Sequence, residues 1–129
     1  MLLDKSDPYY IDFPGRIARI QNGLAENGLD AYLGSRLRTL SWTTDAFCPW
    51  RSFIVIPREG LPTVFTFVID AARVADDSWL DEEHVLGYAP MGGMDQVSLI
   101  SGFIREDLGI KKGRLGVEKI GRASCRERV

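Results

Sequence analysis

Four apolar residues in unbroken succession, Phe53-Ile54-Val55-Ile56, set the tightest limit on how this chain folds. A strand with one wet face alternates apolar and polar side chains, whereas an unbroken run needs cover on both faces. The run is therefore expected at the centre of a sheet with helices packed against it. Pro57-Arg58-Glu59-Gly60-Leu61-Pro62 closes it as a turn. Residues 63–69 then read as a second strand, and the short connection predicts an antiparallel hairpin. With 129 residues the chain suits one core rather than two. Its 45% apolar and 26% charged residues exclude a disordered or collagen-like chain. No run approaches the ~20 apolar residues of a membrane-spanning helix.

The flanking sequence supplies the helices. Phe13, Ile17, Ile20 and Leu24 share one helical face, with Asp12 at the cap position and Pro14 in the first turn. Gly28-Leu29 reads as a left-handed stop, followed by a short strand over residues 30–34 with Ala31, Tyr32 and Leu33 packed inward. Asp70 is placed to cap a helix over residues 71–79 with Val74 inside. Residues 84–88 form a strand. Asp95 caps an amphipathic helix carrying Val97, Ile100, Phe103, Ile104 and Leu108. Gly109-Ile110 repeats the stop, and residues 114–117 open another strand. Alternating elements of this kind predict an α/β fold, a mixed β-sheet with flanking helices. Residues 1–12 read as an irregular arm. Residues 35–51 fit neither period and are too aromatic for a plain solvent loop.

The last ten residues, Ile120-Gly121-Arg122-Ala123-Ser124-Cys125-Arg126-Glu127-Arg128-Val129, resemble one translated frame of a common sequencing adapter. Segments of this kind are set aside from fold reasoning. Their removal leaves 13 basic against 17 acidic residues, and Cys48 as the one cysteine. The native domain is then expected over residues 13–119, truncated at its C-terminal end. The acidic balance gives no electrostatic reason for a nucleic-acid or anionic-membrane partner. Polar residues follow Met1-Leu2-Leu3 at once, unlike a signal peptide, and a lone thiol fits the cytoplasm.

Few residues suggest chemistry. His84, the single histidine, is expected to pair with Glu82 or Glu83. Asp76, Asp77, Asp81, Glu82 and Glu83 lack the spacing of a calcium loop and read as a solvated face. Met91-Gly92-Gly93-Met94 precedes a helix, but Asp95 puts a carboxylate where an anion would sit. Cys48 reads as a small buried hydrophobe. One His and one Cys cannot supply the usual four ligands of a zinc site. The candidate site is residues 42–51, where Trp42, Phe47, Trp50 and Arg51 combine aromatic rings with a cation. Such a set suits recognition of a small polar ligand or a subunit contact. The competing reading is a satellite cluster that closes one end of the sheet.

Arg16-Ile17-Ala18-Arg19-Ile20, then Leu24-Ala25-Glu26-Asn27-Gly28-Leu29-Asp30-Ala31, then Phe53-Ile54-Val55-Ile56-Pro57, resemble in order and spacing the N-terminal domain of the creatinase, prolidase and aminopeptidase P family. Leu115-Gly116-Val117-Glu118 is similar to that family's late strand. The resemblance implies a small α/β domain that precedes a "pita-bread" catalytic domain. That second domain would hold two divalent metal ions (Mn, Co or Zn) through Asp, His and Glu ligands, none of which can be matched here. It further implies a non-catalytic domain of a Xaa-Pro peptidase-type hydrolase. Such a domain lines the active-site entrance, admits small peptide substrates and supports a homodimer. Trp42, Phe47, Trp50 and Arg51 are placed in that role by analogy. A creatinase-like amidinohydrolase, a related lyase and a non-catalytic interaction module are the alternatives.

Overall fold

A computed structural model describes residues 4–48, 51–90 and 95–118. The helix α1 runs Phe13–Glu26. The Asp12 side chain accepts a hydrogen bond from the Gly15 N–H, satisfying one of the amides the first turn leaves open. Gly28 ends α1 at φ +65°. Leu29 N–H then reaches back to the Leu24 carbonyl at 2.9 Å, and Gly28 N–H to Ala25 at 3.3 Å. This is the paired bond pattern of a left-handed helix stop.

Five strands follow: β1 (Ala31–Gly34), β2 (Phe53–Pro57), β3 (Thr63–Phe67), β4 (Val85–Tyr88) and β5 (Leu115–Val117). They form one mixed sheet in the order β4-β3-β2-β1-β5. The β2 strand lies at its centre, antiparallel to both β1 and β3, while β4 and β5 pair in parallel with β3 and β1. Ile54, Val55 and Ile56 are fully buried, as the unbroken apolar run requires.

The period of two divides this run between two cores. Ile54 and Ile56 pack with Ile17 of α1, Leu40, Val64 and Val74. Val55 points the other way, against Ala31, Phe65 and Ile100, with Leu99, Phe103 and Ile104 alongside. Three helices cover the first face: α1, α2 (Leu37–Thr44) and α3 (Ala71–Asp77). The second is covered by α4 (Gln96–Gly102), which runs on into a wider turn over Phe103–Asp107. Asp95 caps α4 through the Ser98 N–H and hydroxyl. Ile110 N–H returns to the Ile104 carbonyl as Gly109 turns left-handed.

The structure corrects several expectations. Residues 37–44, unassigned from sequence, are the helix α2. Val97 is 73% exposed, and Leu99 takes its place against the sheet. Asp70 makes no side-chain capping bond; its carboxylate lies 3.6 Å from Arg73 instead. The β3 strand stops at Phe67, leaving Val68 and Ile69 exposed in the following turn. His84 belongs to a short helical turn, Glu82–His84, rather than to β4. Met91-Gly92-Gly93-Met94, Trp50 and residues 120–129 lie outside the described residues.

Candidate functional site

The α2 helix has only eight residues, too few for stability from its own hydrogen bonds. Its inner face is formed by Leu40, Thr43 and Thr44, all fully buried. The threonine hydroxyls close locally: Thr43 Oγ1 donates to Thr39 O at 2.7 Å, and Thr44 Oγ1 to Leu40 O at 2.6 Å. The last carbonyls of a helix have no partner within it. Here neighbouring elements supply them. Arg16 Nη1 of α1 donates to Trp42 O at 2.7 Å, Trp79 Nε1 to Thr43 O at 2.7 Å, and Trp79 N–H to Thr44 O at 3.3 Å. Asp45 then ends the helix in the left-handed region, at φ +67°.

Trp42 is consequently on the outer face, 40% exposed. The Arg16 guanidinium lies 4.7 Å from the Trp42 ring centroid and 5.2 Å from that of Phe13. Both distances are within reach of a cation–π attraction. The cation on Trp42 is thus Arg16, from the first helix, rather than Arg51. Arg16 lies three residues after Phe13 on α1, so helical spacing alone brings these two together, whereas the contact with Trp42 has no local signal in the sequence. Phe47 is 59% exposed, and Arg51 is exposed. The Arg51 carbonyl accepts the Tyr88 hydroxyl at 2.6 Å, which ties the end of this segment to β4. Between them Ala46 and Cys48 are buried in the core. The segment therefore alternates anchors with outward aromatic rings.

Next to Trp42 is an open groove of about 410 Å³, lined by Ile20, Tyr32, Arg38, Thr39 and Trp42. Burial pushes the Tyr32 phenol above its ordinary value, and the Glu118 carboxylate adds to the rise. A second hollow, of about 430 Å³, lies between α3 and β4 and is lined by Ala71, Ala72, Ala75, Asp76, Glu82 and Val85.

Hydroxyl–carboxylate pairs among the described residues, Ser98 Oγ to Asp95 Oδ1 at 2.8 Å and Ser6 Oγ to Asp4 Oδ1 at 2.6 Å, lie on the exposed surface in a helix cap and a turn. His84 Nδ1 lies 2.6 Å from Asp81 Oδ1, so its partner is Asp81 rather than Glu82 or Glu83. That hydrogen bond holds the Asp81 carboxyl below its ordinary value. Burial pushes the Cys48 thiol up, which keeps it un-ionised and poorly nucleophilic. Among the described residues no group of three or more His, Cys, Asp or Glu side chains could hold a metal ion. An aromatic and guanidinium surface of this kind can stack on and hydrogen-bond to a ligand.

Among the described residues, a five-stranded mixed sheet covered by helices on both faces defines an α/β domain. Its fold is that of the creatinase/prolidase N-terminal domains. The chain is similar to the creatinase/prolidase N-terminal domain of an X-Pro dipeptidase from Streptococcus pyogenes, with 16% identity and a TM-score of 0.57 over 81% of this chain and 99% of that one. It is similar to the N-terminal domain of the cytoplasmic peptidase PepQ from Mycobacterium tuberculosis, with 16% identity and a TM-score of 0.60 over 81% and 72% of the two chains. A Xaa-Pro dipeptidase from Bacillus anthracis matches with a TM-score of 0.68 and 16% identity, over 88% of this chain but 30% of that one. No family model and no curated protein matches the sequence.

Proposed function

We propose that the chain is the non-catalytic N-terminal domain of a Xaa-Pro peptidase-type hydrolase, working in the cytoplasm beside a separate metal-binding catalytic domain. The observation that supports this best is the likeness to the separately solved dipeptidase domain, which the chain matches over 99% of its length. In this reading the outward segment around α2 shapes the active-site entrance and supports a homodimer. Trp42 and Phe47 offer exposed rings, and Arg51 offers a guanidinium. A guanidinium can hold a peptide carboxylate through two parallel hydrogen bonds, a geometry Lys cannot reproduce. Trp50, outside the described residues, enters this reading from its place in the sequence alone. In this reading the two divalent metals, Mn, Co or Zn, would be held by Asp, His and Glu ligands of the catalytic domain.

The test is Arg51→Lys and Phe47→Ala in the complete hydrolase. Neither change opens a core cavity, so the melting temperature should hold. KM for a small Xaa-Pro peptide should rise, or the dimer should weaken. Unchanged kinetics together with unchanged dimerisation would end the assignment.

A further inference from the structure

Glu118 follows β5 directly, and only 8% of its side chain is exposed. Its carboxylate reaches across to the start of α2. Oε1 accepts hydrogen bonds from Ser35 N–H at 2.6 Å and Arg36 N–H at 3.2 Å. Oε2 lies 3.3 Å from Arg36 Nε. Arg36 is the N-cap of α2, and its side chain makes no capping bond of its own. A helix start favours negative charge, and here the charge comes from a residue 82 positions away. Gly34 leaves the room for it: a Cβ there would stand 2.9 Å from Glu118 Oε1 and 3.0 Å from Thr39 Cγ2. The other end of α2 is likewise held from outside, by Arg16 and Trp79.

We propose that Glu118 is a positioning residue, a carboxylate latch that joins the edge strand β5 to α2 and holds the Trp42-bearing helix against the sheet. The latch stands whatever the domain does, because it concerns the order of α2 and not its ligand. A helix this short, held at both ends by other elements, opens as a unit when one end is released. The edge of the sheet and the candidate site then share one local opening equilibrium.

Amide hydrogen exchange on the whole chain tests this. Glu118→Gln should speed exchange of the α2 amides Leu40 and Asp45 by about tenfold or more, while the β2–β3 hairpin amides change by less than about twofold. Pairing Glu118→Gln with Arg36→Asp supplies a local capping carboxylate, which should restore α2 protection. A role for Glu118 confined to β5 would not be rescued this way. Uniform acceleration across the chain, no acceleration, or failure of the rescue would each overturn the latch. Should Glu118→Gln alone not fold, the double variant still decides: a folded protein with α2 protected supports the latch, and an unfolded one refutes it.

Discussion

Substituting Ile54 and Val55 separately asks whether the sheet is covered on both sides. The two residues are neighbours on β2 and fully buried, yet they face different cores. Ile54→Ala removes three carbons, worth roughly 0.8 kcal/mol each in transfer, and leaves a cavity, for a total of about 2–5 kcal/mol. Val55→Ala removes two carbons, so about 1.6 kcal/mol of transfer plus a smaller cavity gives roughly 2–3 kcal/mol. A domain of this size has about 5–15 kcal/mol in all, so both losses are readable. Urea unfolding followed by circular dichroism, with the slope held common, measures them. The midpoint should fall for both variants, further for Ile54→Ala. A Val55→Ala protein as stable as the parent would refute the reasoning, because it would mean that α4 does not cover that face.

Arg16→Ala should cost about 1–3 kcal/mol, since it removes a charged hydrogen bond to Trp42 O and the cation between two rings; Arg19→Ala, on the same helix and exposed, should stay within about 0.5 kcal/mol in the same urea titration. Stability should decline in acid. Hydrogen bonds from Ser98 hold the Asp95 carboxyl below its ordinary value of 3.8, and the His84 bond does the same for Asp81. A depressed native pKa contributes stability above the unfolded value that is lost as pH falls through the folded one. Asp95→Asn should therefore flatten the fall in melting temperature below pH 4, and an unchanged pH profile would contradict the capping role. With Cys125 replaced by Ser, Cys48 should react with a thiol reagent only as fast as the protein opens, because the thiol is fully buried and un-ionised; immediate stoichiometric labelling would contradict its place in the core.

Wherever burial follows chemical hydrophobicity, the fold could be read from the sequence. The Phe53–Ile56 run placed β2 at the centre, and Asp12, Gly28, Asp95 and Gly109 marked helix ends through local bonds that depend on residue type alone. The α2 helix stayed hidden because its pattern is inverted. Its buried face carries Thr43 and Thr44, which satisfy their hydroxyls on the preceding turn, while Leu37 and Trp42 face outward. Hydrophobic periodicity does not register a helix whose inner face is one leucine and two threonines while a leucine and a tryptophan face outward. Val97 misled for the opposite reason: an apolar residue at helical spacing was left on the wet side while Leu99 turned inward. The contacts that hold the candidate segment were not legible. Arg16, Trp79 and Glu118 all act on α2 from distant positions, and no local signal encodes such pairings.

We propose that this domain serves a Xaa-Pro hydrolase without carrying its chemistry. Release of the first residue from a Xaa-Pro dipeptide, measured with added Mn, tests it most directly. The assay compares this chain with a longer protein that joins it to the metal-binding catalytic domain proposed for it. The longer protein is expected to cleave the dipeptide with metal dependence, and this chain to show no turnover. Metal-dependent cleavage by the 129-residue chain itself, or a longer protein that cleaves no Xaa-Pro peptide, would contradict the account.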